Sequence, residues 1–160
     1  AMDDSRIYPN GPEHHTLAGA ALLAAYANAG GELDRESALA ELKTRSLDIP
    51  GGTCGFWGVC GAATSAGQAM SIIVGSTPMT REPWALCQRL TSEILANLAD
   101  LGGPRCCKRT CFTAIATAVP FIAEATGVQM ELPDQIVCSY YERNPQCLRQ
   151  ECPYFPASVL

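Results

Sequence analysis

Residues 61–74 read GAATSAGQAMSIIV, and Gly61, Ala62, Ala63, Ser65, Ala66 and Gly67 leave almost no side-chain bulk along the first half of the segment. The apolar spacing is helical. A helix so thin-sided holds its place only where another backbone comes close enough to close-pack against it. The alanine-rich segment 17–28, LAGAALLAAYAN, is the complementary surface. The two faces can meet within one chain or across a homodimer, and either way they demand a tight helical domain.

The remaining pattern extends that reading. Thr16 is placed to cap the helix at 17–28, which Gly30-Gly31 ends. Asp34 caps a second helix over 35–45 with Leu39 and Leu42 inward, before Ile49-Pro50-Gly51-Gly52 breaks the chain. A tight glycine-rich loop, CGFWGVC, leads into the small-residue helix. A helix over 82–101 carries Trp84, Cys87, Leu90, Ile94 and Leu98 at i, i+3/i+4 spacing and ends at Gly102-Gly103-Pro104. The last helix runs from Lys108 to Thr126, with Pro120 expected to kink or split it. Beyond Gly127 the chain reads as irregular, with one short strand at 135–138. Residues 1–13, with Pro9, Pro12 and an Asn10-Gly11 turn, read as an extended arm, and Ala1-Met2 as a cleavage scar. The expected fold is all-α: about five helices in one domain over 14–160, with a cysteine-bearing C-terminal tail.

The composition supports a buried core. The 160 residues are 48% hydrophobic and 17% charged, which excludes a disordered chain. A net charge of −5 argues against general nucleic-acid or anionic-membrane binding. No stretch approaches the roughly 18–20 apolar residues of a membrane span. No basic and apolar leader follows the N-terminus, so a cytoplasmic setting is expected.

Nine cysteines carry the chemistry. They fall short of the roughly 8–10% of a disulfide scaffold, and clustered cysteines in a reducing compartment point to metal or redox chemistry. Cys54 and Cys60 flank a glycine-rich turn before one helix, and Cys106-Cys107 precede another. Cys138, Cys147 and Cys152 lie in the tail as C-x8-C-x4-C, followed by Pro153. Helix N-termini favour anions and so lower a thiol pKa or stabilise a net-negative cluster. Arg105, Lys108 and Arg109 add positive charge there, against the trend of an acidic chain. Cys87 and Cys111, inside helices, read as small core hydrophobes. The paired C-x2–4-C spacing of structural zinc is absent, whereas iron–sulfur ligands come at varied spacings and often end in Cys-Pro. Backbone amides around Gly55, Gly58 and Gly61 suit hydrogen bonds to cluster sulfurs.

His14 and His15 are the only histidines. The plain reading is a solvated pair at a helix start; the chemical one is a general base or metal ligand, with only one of two adjacent side chains facing a site. Arg105 can fork onto a carboxylate or phosphate. Phe56, Trp57, Tyr140, Tyr141 and Tyr154 lie beside cysteines and can shield a site from water. No nucleotide-binding or hydrolase motif occurs.

The segments EHH, AAYANAGG, GGTCGFWGVCGAATSAG, GGPRCCKR and NPQC-x4-CPYF resemble an uncharacterised cysteine-rich domain family of anaerobic bacteria and archaea. Members of that family sometimes stand beside or are fused to SAM-dependent methyltransferases. The resemblance spans Glu13 to Phe155 and carries over His14, His15, Cys54, Cys60, Cys106, Cys107, Arg109, Asn144, Cys147 and Cys152. It implies an anaerobic setting that suits an oxygen-sensitive cluster, and it names no reaction.

The first functional expectation is a 4Fe–4S protein. Three or four of Cys54, Cys60, Cys106, Cys107, Cys138, Cys147 and Cys152 would ligate the cluster, with Gly55, Gly58, Gly61 and Arg109 around it. An iron lacking a cysteine would act as a Lewis acid on a small anionic, sulfur-containing substrate, with His14 or His15 as base and Arg105 as anion clamp. That is a desulfidase or lyase, without net redox change. The second expectation is a zinc or iron accessory module for a methyltransferase or corrinoid system. The third is a vicinal-thiol redox protein using Cys106-Cys107.

Overall fold

The computed structural model describes residues 4 and 6–159, so the Ala1-Met2 scar lies outside the described residues. Six helices follow in order: α1 His14–Asn28, α2 Arg35–Leu47, α3 Thr53–Phe56, α4 Gly61–Ile73, α5 Glu82–Leu101 and α6 Cys107–Thr126. Three 3₁₀ turns, Tyr141–Arg143, Arg149–Glu151 and Ala157–Val159, punctuate the tail, and the described residues contain no strand. The all-α expectation holds.

Helix α4 is the hub, packed against α1, α2, α5 and α6. Its small residues allow this. A Cβ on Gly19 of α1 would lie 2.6 Å from the Ser65 carbonyl oxygen, and the Gly19 amide donates to Ser65 Oγ at 2.9 Å. On the other side, a Cβ on Gly67 would meet Thr91 Oγ1 of α5. The thin faces of α1 and α4 therefore meet within the chain. Leu22, Leu23, Leu42, Met70, Leu90, Ile94 and Ile122 fill the core around them. Each contributes roughly 1.5–3 kcal/mol by burial.

Several local expectations need correction. Helix α1 begins three residues early because the Gly11, Pro12 and Glu13 carbonyls already accept amides in helical turns. Thr16 is thus inside the helix, and its hydroxyl pairs with Ser46 Oγ at 2.6 Å instead of capping. Asp34 does cap α2, accepting from the Glu36 and Ser37 amides. The CGFWGVC loop contains the short helix α3, entered through Gly52 at φ 87°. Pro120 does not split α6: its ring is exposed, while Ala118, Val119 and Ile122 are held in the core on either side. The segment 135–138 has no neighbouring strand and stays irregular, its Cys138 amide bonding the Tyr154 carbonyl at 2.8 Å. Residues 6–13 run through turns and bends rather than an extended arm, and Asn10 Oδ1 accepts from the Cys107 amide at 3.0 Å. Since Cys106 gives α6 no side-chain cap, Asn10 supplies one from a distance.

Candidate metal centre and adjoining cavity

The seven turn and tail cysteines separate into two groups on either side of the α6 N-terminus. Cys106, at the N-cap of α6, lines a small pocket of about 20 Å³ with Cys138, Cys147 and Cys152. Tyr140, Tyr141, Tyr154, Phe112 and Phe155 wall that pocket. Phe112 and Tyr154 meet edge to face at 5.4 Å, and Tyr141 and Phe155 at 5.0 Å. Phe56 and Trp57, expected to shield a site, point away and are exposed.

The tail repeats one local geometry, an amide turned onto the sulfur of the cysteine before it. The Tyr140 amide donates to Cys138 Sγ at 3.4 Å, and the Arg149 amide to Cys147 Sγ at 3.4 Å. The Tyr154 amide faces the Cys152 sulfur from the same position. In each case the donor lies two residues after the cysteine. Arg149 adopts φ 55°, a left-handed conformation that costs a non-glycine residue about 1–2 kcal/mol. Its amide is the one that donates to Cys147 Sγ.

Two cations are buried against these thiols. Lys108 is 1% exposed, with Nζ 4.2 Å from the Tyr140 ring centre, and Arg109 is 3% exposed. Arg109 Nη2 donates to the Gly102 and Pro104 carbonyls, both at 2.8 Å, while Nε has no hydrogen-bond partner. Burial raises the Cys138 and Cys152 thiol pKa values; the Tyr140 amide opposes it at Cys138, and the Tyr154 amide and Arg109 oppose it at Cys152. Asn144, also buried, holds the tail turn by accepting the Gln146 amide on Oδ1 at 3.0 Å.

The second group faces a larger cavity of about 580 Å³ between the starts of α1, α4 and α6. His14, His15, Cys54, Cys60, Cys107 and Arg105 line it, together with Gly55, Gly58 and Gly61. Cys106 and Arg109 stand in the wall between the two spaces. The histidines are not a solvated pair: they are 1% and 8% exposed, and both line the cavity. His14 Nδ1 lies 3.1 Å from the Gly11 carbonyl oxygen and His15 Nδ1 3.3 Å from that of Ile49. Those contacts make each Nδ1 the protonated nitrogen and leave Nε2 as an acceptor. The His15 ring lies on Gly61, where a Cβ would come within 2.1 Å of it.

Burial and the nearby Lys108 charge lower the His14 pKa below 6.5. Burial raises that of Cys107, followed by repulsion from Cys60 and Cys54, so the helix start does not lower this thiol as expected. Cys111 is fully buried and Cys87 packs on the core, as small hydrophobes do. Among the described residues, no three His, Cys, Asp or Glu side chains are gathered closely enough to hold a single ion as they stand. Sequence reasoning did not place Lys108 in a site, although its position in CCKR beside Arg109 was the available signal.

The profile of one family, described as a family of unknown function (DUF5714), matches residues 1–155. No curated protein and no solved structure matches the chain.

Proposed function

We propose that this chain, which belongs to the DUF5714 family of unknown function, is an iron–sulfur protein whose cluster is held by Cys106, Cys138, Cys147 and Cys152. The observation that carries this reading is the repeated amide-to-sulfur bond. Two backbone amides are spent on Cys138 and Cys147 and a third faces Cys152, and a neutral thiol is too weak an acceptor to repay them. Thiolates bound to metal do repay them, and such outer bonds tune the centre they surround. Lys108 and Arg109, both buried in the wall of this pocket, supply positive charge beside a net-negative thiolate cluster. The irregular tail buries few side chains, so ligation would also hold it to the helices.

The cluster chemistry is an anaerobic, oxygen-sensitive one, and the adjoining cavity is the space for a small anionic, sulfur-containing substrate. Arg105 at its mouth would hold the anion, and His15 Nε2 would take or give a proton. The cluster, when bound, would supply Lewis acidity for desulfidase or lyase chemistry.

A second reading, a zinc-binding accessory module for a methyltransferase or corrinoid system, draws on the tail pocket's size. At about 20 Å³ it is nearer to one small ion than to a cluster. Anaerobic purification followed by iron, sulfide and zinc analysis separates the two. About four irons with equal sulfide and a broad visible absorption, both lost in Cys138→Ser/Cys152→Ser, would support the cluster. One zinc lost in the same variant, in a colourless protein, would establish the module. Metal content unchanged by that variant would overturn both.

A further inference from the structure

We infer that the larger cavity is a second metal site, separate from the tail centre: a thiolate–imidazole site for a thiophilic divalent cation of the zinc class. Its donors are the thiolates of Cys54, Cys60 and Cys107 and Nε2 of His14.

The histidine carries the first part of the argument. His14 is 1% exposed, its Nδ1 is committed to the Gly11 carbonyl at 3.1 Å, and its Nε2 has no hydrogen-bond partner. An imidazole oriented by a backbone carbonyl, with a bare acceptor on the far side, is the usual form of a metal-ligating histidine. A buried acceptor left empty needs a reason, and a cation provides one.

The thiols carry the second part. Cys107 lies within electrostatic reach of Cys60 and Cys54, and the Gly11 amide faces its sulfur. One residue, Gly11, therefore supports both donors, its carbonyl on His14 and its amide on Cys107. Thiolate and imidazole together select zinc-like ions over hard ones such as magnesium. No three donors meet at one point in the ion-free arrangement. Cys54, however, rides on α3 between Gly52 at φ 87° and Gly58 at φ 69°, and nothing packs where a Cβ on Gly55 or Gly58 would sit. Binding draws that turn inward. The cavity is large enough for a small ligand to stand beside the ion.

The test is anaerobic titration of the full reduced chain with Co²⁺, read by thiolate-to-cobalt charge-transfer bands, in four versions. Wild type and Cys138→Ser/Cys152→Ser are both expected to give the bands, the variant from the cavity alone, because it lacks only tail thiols. Cys60→Ser/Cys107→Ser is expected to lose the contribution that Cys138→Ser/Cys152→Ser retains. His14→Gln, which keeps a side-chain donor to the Gly11 carbonyl, is expected to weaken binding at least about tenfold with its helical spectrum intact, and it decides the matter if the serine pair fails to fold. Bands absent from Cys138→Ser/Cys152→Ser, or unchanged in both cavity variants, would overturn the site. Either of those results leaves the tail reading to its own metal analysis.

Discussion

His14 and Cys107 meet through a single residue, Gly11: its carbonyl accepts from His14 Nδ1 at 3.1 Å, and its amide faces the Cys107 sulfur. The turn before α1 thereby joins the start of α1 to the start of α6. It also places the imidazole where water cannot solvate a charge.

That burial makes the fold sensitive to acid. The His14 pKa is lowered by desolvation and then by Lys108, with the Gly11 carbonyl and Glu13 pulling weakly the other way and His15 adding to the lowering. The unfolded chain binds a proton near pH 6.5 that the folded one refuses, so stability falls as pH drops below about 6.5 and is full above it. Thermal unfolding from pH 7.5 to 5.5 should show wild type losing Tm more steeply than His14→Gln. Parallel curves would remove His14 as the cause.

The α1–α4 contact predicts a contrast between two glycines. Gly19→Ala puts a methyl 2.6 Å from the Ser65 carbonyl oxygen, a backbone atom that cannot swing aside. It should cost about 1–3 kcal/mol, or roughly 2–12 °C in Tm for a domain of this size. Gly51→Ala meets nothing within 4 Å and should change Tm little. Calorimetry of the two variants checks this, and equal shifts would contradict the packing.

Asn10 caps α6 from outside the helix, its Oδ1 taking the Cys107 amide at 3.0 Å while its Nδ2 reaches Gln146 Oε1 at 3.4 Å. Asn10→Ala should destabilise by about 0.5–2 kcal/mol, as loss of a cap does. Asn10→Asp keeps the acceptor and should recover most of it. Denaturant titration of the three proteins gives the comparison.

Metal removal should loosen the tail and spare the helices. Residues 128–156 bury only Met130, Tyr140, Asn144 and Pro156, too little apolar surface to hold the segment unaided. Chelation under anaerobic conditions should raise proteolytic cleavage in this segment severalfold while far-ultraviolet dichroism stays nearly constant. Cleavage at unchanged rate would mean that the aromatic pairs alone secure the tail.

Much of this protein was determined locally, and the sequence expressed it. Helix propensity, the Asp34 cap and the glycine stops placed α2, α4 and α5 because those signals act within a few residues. The thin faces of Gly61–Gly67 and of α1 announced their contact, since nothing bulkier could lie there. Cys111 and Cys87 were legible as core positions from helical spacing. The tertiary structure alone decided how the other seven cysteines divide. Which thiols face the tail pocket and which face the cavity depends on where α6 begins and how the tail folds back across it, and no spacing encodes that. The survival of α6 through Pro120 and the burial of both histidines have the same origin. Each is held by contacts with residues far along the chain, whose packing outweighs the local preference.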